Sequence, residues 1–172
     1  MLQLIAPDVA YCDSYIAAIE EFQAEGRHLE ADLARLRGDF AGFVAGQLRL
    51  AEPTRVPIGL MPESVYWLVE AGQFLGRLSL RHALNEHLHT YGGHIGYEIR
   101  PSMRRRGFGK SILRLGLEQA RALGLRRTLV TCDSTNEASR KIIEANGGVF
   151  ENAVALEGRP YQRLRYWIDL PV

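Results

Sequence analysis

Cysteine is scarce in this chain, with only Cys12 and Cys132 among 172 residues. Two cysteines in neither a metal-binding nor a redox spacing exclude a disulfide scaffold and a zinc module. Both lie in apolar segments, so buried free thiols are expected. An excess of one charge is lacking too, since 21 Lys and Arg face 20 Asp and Glu. That balance argues against nucleic-acid binding by bulk charge. No apolar run approaches the roughly 18 residues of a membrane span. No charged start leads into an apolar stretch, so neither a membrane anchor nor a secretory leader is expected. The expected location is the cytoplasm. Internal repeats, low-complexity tracts and domain linkers are missing as well. With 47% apolar residues at this length, the expectation is one domain, residues 1–172, with a sizeable core.

What is present falls into two halves of different rhythm. Leu2–Ala6 reads as a strand and Pro7-Asp8 as a turn and helix cap. Val9, Cys12, Ile16, Ile19 and Phe22 then recur at helical spacing until Gly26. Asp32–Gln47 reads as one further helix with Leu33, Leu36, Phe40 and Val44 on a face, weakened by Gly38 and Gly42. Three prolines and Gly59 make Ala51–Pro62 a loop. Ser64–Glu70 and Phe74–His82 flank Ala71-Gly72-Gln73, a hairpin signal. A polar loop over Asn85–Gly93 leads to a strand at His94–Arg100. From there the order alternates: helix Gly107–Leu123, strand Thr128–Cys132, helix Thr135–Asn146, then strands Val149–Val154 and Tyr161–Leu170. Hairpins followed by strand–helix units predict an α/β protein with a mixed sheet. Tyr66-Trp67 and Tyr166-Trp167 fall within strands, so core packing is expected of them.

The near-neutral total hides an uneven distribution. Residues 100–127 hold nine Arg or Lys against one acid, Glu118, while the rest of the chain is acidic. Local positive charge on a neutral protein points to an anionic ligand. Within that segment, Pro101 is followed by Arg104-Arg105-Arg106-Gly107-Phe108-Gly109-Lys110-Ser111 and an amphipathic helix. A helix start leaves several N–H groups without carbonyl partners and adds partial positive charge. Glycine lets the backbone approach a phosphate, and guanidinium forks match phosphate oxygens. Neither the full dinucleotide fingerprint nor a P-loop is present, so the turn alone specifies an anion site and no more.

Its flanks specify more. Residues 94–150 resemble the GNAT superfamily of acetyl-CoA-dependent acyltransferases, about a third of the chain. Arg104, Gly107 and Gly109 match that family's Arg/Gln-x-x-Gly-x-Gly/Ala signature, and Ile99-Arg100-Pro101 matches the hydrophobic-x-Pro end of the strand before it. Asn136-Glu137-Ala138-Ser139 and Gly147-Gly148 resemble the following helix and turn. The resemblance implies a mixed, mostly antiparallel sheet of six to seven strands and about four helices, with a splayed parallel strand pair at the cofactor cleft. It implies acetyl-CoA as co-substrate. Backbone groups of Glu98, Ile99 and Arg100 would meet the acetyl group and upper pantetheine. The chain from Arg104 through Arg105, Arg106, Gly107, Phe108 and Gly109 to Lys110 and Ser111 would hold the pyrophosphate, with Phe108 turned to the core. Asn136, assisted by Ser139, would hold the pantetheine. Two departures stand out: Ile143 occupies the position of a tyrosine that protonates the leaving thiolate in many members, and Arg105 replaces a common glycine.

Acetyl transfer to an amine needs a base and a proton donor. Glu98 and His94 are the candidate bases beside the expected notch, with Asp133 further off. Alternation puts Glu98 and His94 on one side of their strand, opposite Tyr97 and Ile99. Ser134 and Glu137 have capping-box spacing, and Asn146-Gly147-Gly148 reads as a helix stop. His82, His87, His89 and His94 match no zinc pattern, so no metal is expected. The reading is an N-acetyltransferase acting on a small-molecule or peptide amine, with no membrane or nucleic-acid partner and a homodimer as a possible assembly. An acceptor pocket formed by the first two helices, 51–62 and the last strands would be acidic and suit a cationic amine. A non-catalytic acyl-CoA sensor is the alternative.

Overall fold

The computed structural model describes residues 1–171. Asp8 closes the first strand, β1 (Gln3–Ile5), because its carboxylate accepts from the N–H of Ala10 at 2.8 Å and starts a 3-10 turn. That turn runs into α1 (Cys12–Ala24). The segment expected as one helix is two, α2 (Leu33–Gly38) and α3 (Phe40–Arg49). Asp39 causes the break: its backbone leaves the helical region, and its side chain caps α3 by accepting from Gly42 N–H at 2.8 Å. The period continues across the break, so Phe40 and Val44 still reach the core while the axis turns.

Strands β2 (Glu63–Glu70), β3 (Gln73–Arg81) and β4 (Ile95–Ile99) form an antiparallel meander. Helix α4 (Phe108–Ala122), strand β5 (Arg127–Asp133), helix α5 (Glu137–Ala145) and the hairpin β6 (Val149–Ala155) and β7 (Gln162–Asp169) complete the chain. The seven strands make one sheet in the order β1-β2-β3-β4-β5-β7-β6. Every pair is antiparallel except β4 with β5.

Each face of the sheet has its own core. On one, Leu78, Leu80, Ile95, Val130 and Tyr166 pack on Ile112 and Leu113 of α4 and Ile143 of α5. On the other, Val65, Trp67 and Phe74 pack on Tyr15, Ile19 and Phe22 of α1 and Phe40 and Val44 of α3. Trp67 is fully buried and stacks on Tyr15 at 4.8 Å. Trp167 departs from the core expectation, being half-buried beneath the Arg127 guanidinium at 4.0 Å. The expected Ser134–Glu137 capping box does not form. Asn136 caps α5 by accepting from Ser139 N–H at 3.0 Å, Ser134 accepts from Gln162 N–H, and Glu137 pairs with Lys141.

Candidate active site

The parallel pair carries the opening. Only Ile95 and Val130 are in register between β4 and β5. A buried latch closes that end: His94 N–H donates to Leu129 O at 2.7 Å, and Leu129 N–H donates to His94 Nδ1 at 2.9 Å. Gly93 precedes it with φ 69° and ψ −176°, a conformation essentially restricted to glycine. A Cβ there would lie 2.5 Å from Leu129 O. Past the Ile95–Val130 pair no further register joins β4 to β5, and each strand pairs with its outer neighbour, β4 with β3 and β5 with β7. His94 O accepts from β3 and Arg100 N–H donates to β3. By alternation the even-numbered backbone groups of β4 face β3, and those of Tyr97 and Ile99 face the gap. This corrects the expectation for Glu98 and Arg100, whose backbones are committed to the sheet. Tyr97, not expected at the site, takes that place.

At the far end of the gap lies the basic turn. No hydrogen-bond partner serves the N–H groups of Arg105, Arg106, Gly107, Phe108 or Gly109 among the described residues. Arg105 adopts φ 62° and Gly107 φ 85°. Arg105 therefore takes the left-handed conformation that glycine adopts freely, at a cost of about 1–2 kcal/mol, so its replacement of a glycine leaves the turn intact. Five successive free N–H groups beside a helix N-terminus form an anion cradle. A cavity of about 750 Å³ adjoins it, lined by Glu98, Ile99, Arg104, Arg105, Gly107, Gly109 and Lys110 among others. These donors fit a pyrophosphate.

Other expected residues lie elsewhere. Arg100 points to α1, where Glu21 accepts its guanidinium at 2.7–2.8 Å. Arg104 lines the cavity but is tied to Glu25 at 2.8 Å and to Ile99 O. Arg106 turns to the sulfur of Met103, Phe108 packs on the core as expected, and the Ser111 hydroxyl rests near Gly107 O. None of Arg100, Arg106, Phe108 and Ser111 lines either cavity of the cleft.

The two candidate bases separate. His94 is corrected to a structural residue, since it is 7% exposed and its Nδ1 already accepts from Leu129. Burial, then the charges of Arg81 and His89, lower its pKa to about 4. The unfolded imidazole takes its proton near pH 6.5. His94 therefore supports the fold above pH 6.5, and that support is lost as pH falls toward 4. Between pH 6.5 and 5.5 the wild type is expected to lose about 1 kcal/mol more than His94→Asn, which keeps an acceptor and does not titrate. Urea unfolding at the two pH values measures it.

Glu98 lies on the α1 face of β4 and lines the cavity. Arg27 donates to it at 2.7 Å, and His28 Nε2 lies 2.9 and 3.0 Å from its two oxygens. His28 has φ 51°, a strained conformation held by Gln23 donating to its carbonyl. Nothing in the sequence marked it, because its 70-residue separation from Glu98 closes only in the fold.

Ile143 is fully buried beneath α5 and carries no hydroxyl to the cleft. Two hydroxyls reach it nonetheless: Tyr97 Oη and Ser139 Oγ share a hydrogen bond at 3.0 Å. Burial pushes the Tyr97 phenol up to about 12, so it holds its proton at neutral pH. Tyr97, Asn136 and Ser139 also line a second cavity of about 660 Å³, so the two spaces meet at these three side chains. The second cavity is built from β3, the turn at Leu88–Gly92, β5 and the β6–β7 loop, and not from α1, α2 or 51–62. Its charged residues are Arg81, Asp133, Glu157, Arg159 and Arg163, with His87 beside them. Acidic residues do not dominate this second cavity; Glu25, next to α1, lines the first cavity instead.

Among the described residues, no three His, Cys, Asp or Glu side chains gather as a metal site, and no helix is long and apolar enough to cross a membrane. Cys12 and Cys132 are free thiols; Cys132 is buried and Cys12 partly so.

The whole chain superimposes on solved acetyltransferases. RimL, a ribosomal L7/L12 alpha-N-protein acetyltransferase in complex with coenzyme A, is 19% identical with a TM-score of 0.71, covering 98% of this chain and 94% of that one. MccE, a microcin C7 self-immunity acetyltransferase in complex with acetyl-CoA and AMP, is 14% identical with a TM-score of 0.71, covering 98% and 92%. RimJ of Mycobacterium smegmatis, in complex with CoA-disulfide, is 20% identical with a TM-score of 0.68, covering 98% and 81%. At such identities the likeness speaks to the fold. No curated protein sequence matches significantly. The model of the acetyltransferase (GNAT) domain matches residues 18–149, more than half the chain and the stretch holding the gap, the cradle and α5. The chain therefore belongs to the GNAT family and is an acetyl-CoA-dependent N-acetyltransferase.

Proposed function

We propose that the enzyme moves the acetyl group to a primary amine by direct attack, with the cofactor between β4 and β5 and the acceptor in the second cavity. One observation carries this reading: the cavity beside the anion cradle and the second cavity share the hydroxyls of Tyr97 and Ser139 in their lining. The RimL and MccE complexes hold coenzyme A and acetyl-CoA on this fold, which supports the placement. The N–H groups of residues 105–109, with Arg105 and Lys110, would hold the pyrophosphate. The gap-facing N–H groups of Tyr97 and Ile99 and the amide of Asn136 would meet the pantetheine arm and the acyl oxygen.

When bound, acetyl-CoA supplies an activated thioester. As the C–N bond forms the amine nitrogen gives up a proton, and as the C–S bond breaks the sulfur takes one up. Glu98, oriented by Arg27 and His28, takes the amine proton directly or through water. The Tyr97–Ser139 pair delivers the sulfur's proton. The expected acceptors are a small-molecule amine or a peptide amine, the expected assembly a homodimer. Two free cysteines and the need for acetyl-CoA fit a cytoplasmic enzyme.

Native mass spectrometry of purified protein is expected to find bound coenzyme A, and an amine panel with acetyl-CoA is expected to release thiol. Cofactor binding without thiol release for any amine would overturn the catalytic reading in favour of a sensor.

A further inference from the structure

The second cavity carries three arginines on its wall, Arg81, Arg159 and Arg163. Each arginine on its wall can be followed to its partners. Arg163 is matched by Asp133 at 3.1 Å, so that pair is neutral. Arg81 is not matched. Its nearest carboxylate, Glu63, lies 3.7 Å away and is shared with Arg77 at 3.8 Å, leaving one net positive charge among the three. Its remaining contacts are long, 3.3 and 3.4 Å to the carbonyls of Gly93 and Gly92. Burial is the main influence lowering the Arg81 pKa, which marks a guanidinium poorly supplied with counter-charge. Arg159, exposed on the β6–β7 loop, lies 5.9 Å over the ring of Tyr161 and forms no ion pair among the described residues. The cavity wall thus presents two guanidiniums with unused donors and one free carboxylate.

We propose that the acceptor bears an anionic group, a carboxylate or a phosphate, near its reactive amine, and that Arg81 and Arg159 hold that group. Guanidinium forks bind both anions through paired N–H donors. The site then selects zwitterionic amines and discriminates against the same skeleton lacking the acid. This rests on the second cavity being the acceptor site of the proposed acetyl transfer.

The test measures thiol release for matched acceptors differing only in the acid. The pairs are an amino acid against its decarboxylated amine, phosphoethanolamine against ethanolamine, and an acidic peptide against its amidated counterpart. At least one anionic member is expected to exceed its partner in kcat/KM by about tenfold to a hundredfold; which pair responds separates carboxylate from phosphate. Arg159→Gln, at an exposed loop position, is expected to collapse that ratio through KM. Neutral members equal to or better than the anionic ones in every pair would overturn the proposal, as would an Arg159→Gln effect shared equally by both members. A second arm needs no turnover: calorimetry of CoA-loaded protein with the N-acetylated products. Tighter binding of the anionic product without thiol release would sustain the anion site and sink the transfer reading. Equal binding of both products would sink the anion site.

Discussion

Gly107→Glu is expected to weaken acetyl-CoA binding by at least about a hundredfold, measured calorimetrically. The effect is electrostatic. A Cβ at position 107 meets nothing within 4 Å, so steric exclusion plays little part. The carboxylate would stand among five N–H groups that have no partner. It would satisfy some of them itself and repel the pyrophosphate from the others. Gly107→Ala separates the contributions: at φ 85° it costs about 1–2 kcal/mol of stability and is expected to change affinity by less than about threefold. Arg105 already shows that this turn accepts a Cβ in the left-handed region. Undiminished affinity in Gly107→Glu would move the cofactor site elsewhere. A large loss in Gly107→Ala would mean that turn shape, and not charge, governs binding.

Tyr97→Phe and Ser139→Ala are each expected to lower kcat by about a hundredfold. Both hydroxyls belong to one hydrogen bond, so the double variant is expected to be little worse than the poorer single one. The fold should tolerate the changes. Asn136 caps α5 through the backbone N–H of residue 139, which alanine retains, and phenylalanine keeps the ring of Tyr97. Steady-state kinetics with a saturating amine measures kcat, and acetyl-CoA affinity is followed separately so that binding and chemistry are not confused. Unchanged kcat in both single variants would assign the sulfur's proton to water.

Much of this was legible in the sequence because it is local. Helical and strand periods depend on neighbours a few residues apart, so the order of elements and the α/β class could be read directly. The cradle was legible for the same reason. Its donors are consecutive backbone groups, and glycine at 107 with cations around it declares the turn. Where local signals compete, the chain departs from its local pattern. Asp39 joined a continuous apolar stripe while breaking the helix under it, and Asn136 took the capping role that Ser134 and Glu137 seemed to offer by spacing.

The site's chemistry was decided by tertiary structure. His94 and Glu98 share a strand face, and both are candidate bases by position. The fold gives one of them to Leu129 as a latch and the other to Arg27 and His28, 71 and 70 residues away. Tyr97 lies on the strand face opposite the two candidate bases. Only the splay of β4 from β5 opens that side to the cleft, and only the packing of α5 brings Ser139 to its hydroxyl. Likewise the acidic composition of the first half favours a cationic acceptor, whereas the fold lines the second cavity with Arg81, Arg159 and Arg163. The sequence by itself determined the anion cradle, because backbone donors in a tight turn need no distant partner. The surroundings of Glu98, the Tyr97–Ser139 pair and the lining of the second cavity were set by contacts between segments far apart in the chain, which no local pattern encodes.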